Sequence, residues 1–357
     1  MSIDRAAATH GSSCPETCQE VAIPSSLLEA PDEVGGHPLS ASEASFFKEH
    51  GYLVKRGLLK KALLQPALDY VWQRAPSCVN RLDPSSYTHA HRLWERTAVN
   101  GERGGDQNHW SGARGDDGVW QLLSSGPTGL GTEPFMLQLV PNSAPVQAVV
   151  AALIGSPVRP SRRTRGVYAR FPTPPPYPPI QNGIHWDSCG HQLGAMVLLE
   201  DCPPTGGCFT LWPTSHHKLF PLFTTSQGNF PKDITNFATL GPGGHMSSPT
   251  VKQTLSEIAA TVKPVEFDGR AGDVCFVHNR LAHSASPNRL PESVRLMLVC
   301  DFQKDSSPSQ RRTFYDDHTL GAWNESTRCQ EQFHVDTRKF REDEPPDPAN
   351  MWQDWAI

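Results

Sequence analysis

Two residues with metal-binding side chains, His185 and Asp187, stand two positions apart in the sequence. Successive side chains of an extended strand alternate between its two faces, so this imidazole and this carboxylate are expected to point the same way. The apolar run that follows, residues 193–199, has the composition of a buried strand. The pair is therefore predicted to lie where a rigid element begins, and it offers two ligands to one metal ion.

A third ligand is sought downstream, in the stretch Gly272–Asn288, which contains two histidines. The short run Val274–Val277 is predicted to be a strand, and His278 and His283 follow at its end and just beyond it. Either histidine would complete a set of two imidazoles and one carboxylate. This set is typical of non-haem Fe(II) oxygenases, because imidazole and carboxylate suit Fe(II) and three protein ligands leave three positions open.

One arginine, Arg295, lies near the start of another strand predicted over Val294–Phe302. The open positions of such an iron site can take a bidentate 2-oxo acid and then dioxygen. A 2-oxo acid with a second carboxylate also needs a cation at its far end, and a guanidinium binds a carboxylate through two parallel hydrogen bonds. Arg295 is predicted to be that cation.

Four stretches of the chain together resemble the phytanoyl-CoA dioxygenase family of Fe(II)- and 2-oxoglutarate-dependent oxygenases. They occur in the family's order at Phe46–Val54, His185–Asp187, Gly206–His216 and Gly272–Arg295. The resemblance covers about residues 40 to 303. It implies Fe(II) as the metal, with 2-oxoglutarate and O2 as co-substrates.

The resemblance also implies roles for individual residues. It makes His185, Asp187 and His283 the iron ligands, favours His283 over His278, and gives the distal carboxylate of 2-oxoglutarate to Arg295. A serine of the family motif, which often helps to hold the co-substrate, is replaced here by Ala285. Ser286 is therefore the candidate for that contact.

Two further residues are candidates for co-substrate binding, Tyr168 and Gln192. In the alternating segment Arg165–Phe171, one face carries the apolar residues and the other carries Tyr168 and Arg170. Tyr168 or Arg170 is expected to touch co-substrate or substrate, and the alternative is a buried hydroxyl and a surface ion pair.

The chain is expected to divide into a disordered leader at 1–39, a dioxygenase domain at 40–304 and a polar C-terminal extension at 305–357. Short strands between Gly and Pro turns, with helices gathered near the front, predict a mainly β fold with flanking α-helices. The resemblance sharpens this to a double-stranded β-helix, the cupin-like jelly roll. The segments 80–132 and 218–262 are candidates for the walls of a substrate pocket, and the alternative for 80–132 is an irregular covering layer.

Local signals predict several elements. Ser40 and Glu43 have capping-box spacing and open a helix that ends at Gly51. A helix over Leu58–Arg74 is expected to be interrupted by Pro66. A helix is also predicted over Ala144–Ile154, ending at Gly155. The strand that ends at Asp201 and the one over Cys208–Trp212 are predicted to pair as a hairpin, and His216 and His217 beyond it are expected to be structural or to line a pocket.

Composition excludes some classes of partner. The formal net charge of -5 leaves no basic field for nucleic acid, and no run of about 18 apolar residues could span a membrane. A small-molecule substrate and a cytoplasmic location are expected, since no secretory or C-terminal peroxisomal signal is apparent. The nine cysteines are expected to be free thiols. No feature of the sequence indicates an oligomeric state.

The expected reaction is hydroxylation of an aliphatic carbon of a small-molecule metabolite, with release of succinate and CO2. Halogenating relatives carry Gly or Ala at the position of Asp187, so the carboxylate favours hydroxylation. The alternatives are a non-catalytic metal-binding jelly-roll module and a Zn(II) hydrolase, and Arg295 argues against both. An acyl-CoA, a free acid, a terpenoid or alkaloid-like metabolite and an amino acid all remain open as substrates.

Overall fold

The structure is a computed structural model. It describes residues 38–73, 75, 79–88, 110–111, 119–123, 133–161, 164–181, 183–186, 192–220, 249–302, 304, 351–352 and 355–357. The predicted leader up to residue 37 lies outside these ranges, as do most of the predicted pocket walls at 80–132 and 218–262 and most of the predicted C-terminal extension.

The described helices and strands are interspersed along the chain, and four strands follow the last helix. The helices are α1 (Ala41–His50), α2 (Lys61–Trp72), α3 (Pro134–Leu139), α4 (Ala144–Ile154), α5 (Ser215–Leu219) and α6 (Pro249–Thr261), with a 3-10 helix at Pro84–Thr88. The strands are β1 (Tyr52–Lys55), β2 (Trp110–Ser111), β3 (Val119–Leu123), β4 (Gly166–Arg170), β5 (Leu193–Leu198), β6 (Phe209–Leu211), β7 (Val265–Phe267), β8 (Val274–His278), β9 (His283–Ala285) and β10 (Arg295–Phe302).

The strands form two antiparallel sheets. The main sheet has the order β1-β8-β5-β10-β4-β3-β2, and the small sheet has the order β7-β6-β9. One apolar layer joins the sheets and includes Met196, Val277 and Met297 from the main sheet with Phe209 and Phe267 from the small one. Two antiparallel sheets packed face to face confirm the predicted mainly β, jelly-roll fold. The space between the sheets is called the inner side below.

The other side of the main sheet is covered by helices. Its apolar cluster brings together Phe47 of α1, Leu64 of α2 and Val150 of α4 with Phe276 and Leu298 of the central strands. Strands β5, β8 and β10 are therefore apolar on both faces, which explains why their sequences read as continuous hydrophobic runs.

The start of α1 confirms the predicted capping box. The Ser40 hydroxyl accepts from the Glu43 backbone N–H at 3.2 Å, and the Ser40 backbone N–H donates to the Glu43 carboxylate at 2.9 Å. The helix ends as predicted at Gly51, which adopts the left-handed conformation with φ 78°.

The predicted interruption at Pro66 is wrong, because α2 runs through this proline. Proline costs a helix one backbone hydrogen bond and a steric clash. Here the helix buries Leu64, Ala67, Leu68 and Val71 against the main sheet. Packing of an apolar face contributes most of a helix's stability in a folded protein, and it outweighs the local cost.

The predicted hairpin between β5 and β6 is also wrong. Strand β5 pairs with β8 and β10, whereas β6 pairs with β7 and β9 in the other sheet. The connecting segment 202–208 contains two residues with positive φ, Thr205 at 66° and Gly207 at 79°. This connection carries the chain from one sheet to the other instead of folding it back on itself.

Helix α4 ends at Gly155 as predicted. Helix α6, in contrast, was not predicted and lies within the segment 218–262. Its apolar positions Val251, Leu255 and Ile258 have helical spacing and pack with Trp186 and Trp212. Their periodicity is the signal that would have identified this helix.

The last described residues pack onto the domain. Met351 is buried, and the rings of Trp352 and Trp355 each lie 5.7 Å from the ring of Phe47 in α1. The backbone N–H of Ala356 donates to the carbonyl of Leu153 at 3.0 Å. The predicted domain boundary at residue 304 stays a prediction. In the described part of the chain, none of the helices has the length and apolar character needed to cross a membrane.

Candidate active site

The two histidines favoured as metal ligands, His185 and His283, lie side by side. Their backbones pair antiparallel, with His185 N–H donating to the His283 carbonyl at 2.9 Å and His283 N–H donating back at 2.7 Å. Their ring centroids are 4.5 Å apart. Strand β9 thus brings the second imidazole directly beside the first.

Both imidazoles are oriented by a carbonyl of their own chain. The Nδ1 atom of His185 lies 2.7 Å from the Gly183 carbonyl, and that of His283 lies 2.8 Å from the Leu281 carbonyl. A carbonyl oxygen can only accept, so Nδ1 is the donor in each ring and Nε2 is the nitrogen left to bind a metal. A second hydrogen bond that fixes ring orientation and tautomer is the usual support of a metal-binding histidine.

The predicted carboxylate ligand Asp187 lies outside the described residues. Among those that the structure does describe, no three His, Cys, Asp or Glu side chains come together in a way that could hold a metal ion. The placement of Asp187 beside the two imidazoles stays a prediction.

The rival histidine, His278, faces the other way. Within β8, Cys275 and Val277 contribute to the inner layer, whereas Phe276 belongs to the helix-covered face. By strand alternation His278 shares that second face. Its ring stacks on Trp355 with centroids 5.2 Å apart and planes 19° apart. Its Nδ1 accepts from the Arg280 backbone N–H at 3.0 Å. This packing separates His278 from the pair formed by His185 and His283.

Arg295 is buried on the inner side of the main sheet, with 2% of its surface exposed. Its Nη1 lies 3.9 Å from the sulfur of Met297, and its Nε has no hydrogen-bond partner. No carboxylate of the described residues forms an ion pair with it within 4.0 Å. Burial lowers the pKa of the guanidinium, since a charge is costly in a low-dielectric interior.

Tyr168 lies on the inner side as its alternation predicts. It packs against the inner layer, whereas Val167 and Ala169 belong to the helix-covered face. Tyr168 is the register partner of Met297, two positions along the ladder from the pair Arg170 and Arg295 and therefore on the same face. It therefore shares a face with the predicted carboxylate anchor, and its contact with co-substrate stays a prediction.

The side chain of Gln192 forms a hydrogen bond that links two strands of the main sheet. Its Oε1 accepts from the Lys304 backbone N–H at 2.8 Å, and its backbone N–H donates to Phe302 at 3.0 Å. These bonds tie the start of β5 to the end of β10. Its predicted role toward co-substrate remains open.

Ser286 is held on the opposite side of the small sheet from His283. Its hydroxyl lies 2.7 Å from the Thr210 hydroxyl and also donates to the Glu266 carboxylate. Ala285, in contrast, pairs with the inner-layer residue Phe209 and therefore faces inward with His283. The inward-facing position is therefore occupied by the methyl group of Ala285, which cannot offer a hydroxyl. A contact between Ser286 and the co-substrate stays a prediction.

His216, expected to be structural or pocket-lining, is fully buried next to α1. Its Nε2 lies 3.0 Å from the Lys48 carbonyl. Burial, together with the neighbouring charge of His217, lowers the pKa of His216 to about 3, so the ring is neutral. His216 and His217 lie in the short helix α5.

Two features of the site were not anticipated. The ring of Phe209 lies 5.2 Å from the ring of His283 and covers it from the inner layer. The thiols of Cys202 and Cys208 lie 3.7 Å apart, and both are close enough to the guanidinium of Arg295 to interact with it electrostatically. The alternation of apolar residues in β6 was the available signal for Phe209.

Two adjacent imidazoles and a buried guanidinium, facing the space between the sheets of a jelly roll, are the arrangement expected of a 2-oxoglutarate-dependent oxygenase. Residues 136–295 match the model of the phytanoyl-CoA dioxygenase (PhyH) family. The match confirms the family resemblance, and this part of the chain is a phytanoyl-CoA dioxygenase domain. The protein is accordingly an Fe(II)- and 2-oxoglutarate-dependent oxygenase, for which O2 is the second co-substrate.

Several solved structures are similar at low identity. The non-heme alpha ketoglutarate dependent carbocyclase SnoK from nogalamycin biosynthesis is 18% identical, with a TM-score of 0.43 and coverage of 74% of this chain and 84% of that chain. AviO1 from Streptomyces viridochromogenes Tue57 is 18% identical, with a TM-score of 0.42 and coverage of 75% and 96%.

EctD from S. alaskensis, solved with 2-oxoglutarate and 5-hydroxyectoine, is 15% identical, with a TM-score of 0.42 and coverage of 78% of this chain and 81% of that chain. Similarities of this size say nothing about the substrate of the present enzyme. No curated protein matches the chain in a sequence comparison.

Proposed function

We propose that this enzyme hydroxylates an aliphatic carbon of a small-molecule metabolite, converting 2-oxoglutarate and O2 to succinate and CO2. We further propose His185, Asp187 and His283 as the iron ligands and Arg295 as the residue that binds the far carboxylate of 2-oxoglutarate. The domain that does so is proposed to span residues 40–304.

The buried guanidinium of Arg295 is the observation that carries the proposal. A buried charge without an ionic partner is strongly unfavourable. Among the described residues no carboxylate is placed to neutralise it. A dicarboxylic co-substrate would supply the missing anion, and its carboxylate would accept hydrogen bonds from the Nε and Nη atoms together.

The imidazole pair supports the choice of metal. With Nδ1 of each ring held by a carbonyl, His185 and His283 present Nε2 as the donor atom. Two such nitrogens and the carboxylate of Asp187 would suit Fe(II) and leave positions for the co-substrate. When bound, the iron supplies the activation of dioxygen that lets an unactivated carbon–hydrogen bond be oxidised.

The protein's own contribution is a dry, shaped space around the metal. Phe209 covers His283 on one side, and the inner layer around it is built from apolar side chains such as Met297 and Val299. Such a lining excludes water and prevents wasteful side reactions. The part of the lining that meets the substrate decides which carbon is presented.

An anaerobic titration of the purified apo-protein with Fe(II) and then 2-oxoglutarate tests the proposal. We expect the visible charge-transfer absorption that forms when a 2-oxo acid chelates Fe(II), and its loss in Asp187→Ala. Aerobic incubation with candidate metabolites should then release succinate in step with hydroxylated product, as followed by mass spectrometry.

The same experiment separates the alternatives. If the folded wild type gives no absorption band, the oxygenase proposal fails and the binding-module alternative gains support. If activity toward an ester or amide appears with Zn(II) and not with Fe(II), the hydrolase alternative is favoured instead.

A further inference from the structure

A second arginine, Arg170, stands directly beside Arg295. The two residues are register partners in the antiparallel pair of β4 and β10. Direct partners point to the same face, with Cα atoms about 5 Å apart. The next partners on the same face, Tyr168 and Met297, belong to the inner layer or pack against it. Both arginine side chains therefore start side by side on the inner side of the main sheet.

Both arginines are buried. Arg170 exposes 3% of its surface and Arg295 exposes 2%. The sequence alone left open whether Arg170 forms a surface ion pair, and its burial excludes a surface position. Two buried guanidinium side chains therefore begin on neighbouring strands at this end of the cleft.

Asn288 fixes the position of Arg170 relative to Arg295. The fully buried Asn288 side chain donates through Nδ2 to the Arg170 carbonyl at 3.0 Å and to the Ser293 carbonyl at 2.7 Å. The end of β4 is thereby joined to the segment that leads into Arg295. The same residue donates its backbone N–H to the Thr173 hydroxyl at 3.1 Å.

The turn before β6 brings the two side chains along a common path. A Cβ atom on Gly207 would lie 2.9 Å from Cγ of Arg170, so the stem of Arg170 runs directly over this glycine. The next residue, Cys208, interacts electrostatically with the guanidinium of Arg295. Both arginines thus extend past the same turn at residues 207–208.

We propose that Arg170 is a second guanidinium for the far carboxylate of 2-oxoglutarate, binding beside Arg295. The inference rests on the co-substrate site proposed above. A carboxylate has about four lone-pair sites, so a fork from Arg295 leaves room for hydrogen bonds from a second arginine. The contact from Arg170 would take the place of the hydroxyl contact that Ala285 cannot make.

The test compares two 2-oxo acids that differ only at the far end. 2-Oxoglutarate carries the second carboxylate, and 2-oxopentanoate has the same chain length but ends in a methyl group. Both chelate Fe(II) through the same 2-oxo acid group, so anaerobic titration of the Fe(II) protein gives a Kd for each from the charge-transfer absorption. The ratio of the two Kd values reports the contribution of the far carboxylate.

The variants are Arg170→Gln, Arg170→Lys and the matched control Arg165→Gln. Arg165 lies just before the same strand, but its Nε faces Asp301 at 3.7 Å. We expect Arg170→Gln to raise the Kd of 2-oxoglutarate about tenfold or more, as for a lost charged hydrogen bond, and to leave that of 2-oxopentanoate within about threefold. Arg170→Lys should give an intermediate increase for 2-oxoglutarate alone, since it keeps the charge but loses the fork. Arg165→Gln should leave both unchanged.

Two results would overturn the inference while the wild type still binds 2-oxoglutarate. One is a folded Arg170→Gln protein with unchanged affinity for 2-oxoglutarate, and the other is an equal loss of affinity for both acids. If Arg170→Gln does not fold, as judged by circular dichroism, unchanged binding of 2-oxoglutarate by Arg170→Lys has the same meaning. Absence of an absorption band in the wild type would instead refute the proposed function itself.

Discussion

The main chains of His185 and His283 exchange two hydrogen bonds, with N···O distances of 2.9 and 2.7 Å. This pairing joins the segment before β5 to strand β9 and sets the two rings 4.5 Å apart. The relative position of the two predicted iron ligands is therefore a property of the backbone. It does not depend on long, adaptable side chains.

The placement of the histidines predicts opposite outcomes for two alanine substitutions. His283→Ala should abolish the charge-transfer absorption with Fe(II) and 2-oxoglutarate, because it removes a predicted ligand from the inner side. His278→Ala should retain that absorption, because its ring stacks on Trp355 on the other face of the main sheet. Both are measured by anaerobic titration at equal concentrations of folded protein.

The comparison has a clear contrary result. Retention of the absorption in His283→Ala together with its loss in a folded His278→Ala would reverse the assignment of the third ligand. Equilibrium binding of Fe(II) followed by metal analysis provides a second readout that does not require the co-substrate.

Arg295→Gln is expected to weaken the binding of 2-oxoglutarate without lowering the stability of the apo-protein. Loss of a charged, two-bond contact should raise the Kd of 2-oxoglutarate about 100-fold. The free energy of unfolding of the apo-protein should stay the same or rise, because the substitution removes a buried charge that has no carboxylate partner among the described residues. Urea unfolding with and without Fe(II) and 2-oxoglutarate measures both effects.

Ligand binding to the folded state alone stabilises a protein by RT ln(1 + [L]/Kd), so at a given concentration 2-oxoglutarate should stabilise the wild type more than Arg295→Gln, and the variant should gain almost nothing below its raised Kd. A large loss of stability in apo Arg295→Gln would contradict this expectation. It would mean that the guanidinium has a structural partner.

Asp273 should make the stability of the fold depend on pH. Its carboxylate accepts from Arg56 Nη1 at 2.8 Å, from Gly57 N–H at 2.7 Å and from Arg270 N–H at 2.9 Å. Burial alone would raise the pKa of Asp273, but these hydrogen bonds outweigh it and hold its pKa below the ordinary value. Because the pKa of Asp273 is lower in the folded state than the value of about 3.9 in the unfolded chain, the ionised carboxylate stabilises the fold at pH values above about 3.9. This stabilisation is lost as the pH falls towards and through the pKa of the folded state.

Asp273→Asn is therefore expected to cost about 2 kcal/mol at pH 7, with the difference from wild type narrowing below about pH 4. Urea unfolding between pH 7 and pH 3 measures the trend. The control is Asp69→Asn. The side chain of Asp69 is 49% exposed and its carboxylate lies 3.0 Å from Arg81, so its loss should change the free energy of unfolding by less than about 1 kcal/mol. If the difference in free energy of unfolding between wild type and Asp273→Asn does not depend on pH, the ionised hydrogen-bond network is excluded as its cause.

The C-terminal aromatic pair should stabilise the domain without taking part in co-substrate binding. Trp355 contacts three rings, with centroids 5.7 Å from Phe47, 5.2 Å from His278 and 5.1 Å from Trp352. Trp355→Ala should cost about 2 kcal/mol, below the value for a fully buried tryptophan because the side chain is partly exposed. Urea unfolding measures the loss, and the Kd of 2-oxoglutarate should be unchanged.

Leu82→Ala is a suitable control for this prediction, because Leu82 is 90% exposed and its truncation should change stability by less than about 0.5 kcal/mol. A changed Kd in Trp355→Ala would link the C-terminal residues to the site. An unchanged free energy of unfolding would show that their packing is not stabilising.

Features set by local chemistry could be predicted from the sequence. The capping box at Ser40 and the stop at Gly51 depend on a few neighbouring residues, and both were predicted correctly. The same holds for strand β4, where alternation alone separates Tyr168 and Arg170 from Val167 and Ala169. Period-two alternation needs no knowledge of the rest of the fold.

Features set by distant packing could not be predicted in this way. In the sequence His278 and His283 both come after one predicted strand, whereas in the structure the chain passes from the main sheet to the small one between them, from β8 to β9. The hairpin between β5 and β6 was predicted wrongly for the same reason, because the residues of a turn do not reveal which sheet the next strand joins. Pro66 was misjudged because burial of α2 against the sheet outweighs a local penalty.

The connection between β9 and β10 has a consequence for which co-substrates the enzyme can accept. His283 and Arg295 belong to different sheets, and Asn288, in the segment 286–294 that joins them, donates hydrogen bonds to the carbonyls of Arg170 in β4 and of Ser293. These contacts restrain the position of the proposed carboxylate anchor, Arg295, relative to the proposed metal ligand, His283. In the proposed site, with the far carboxylate on Arg295 and the metal on His283, oxaloacetate would be one carbon too short and 2-oxoadipate one carbon too long, so this site would select the length of the acid as well as its charge.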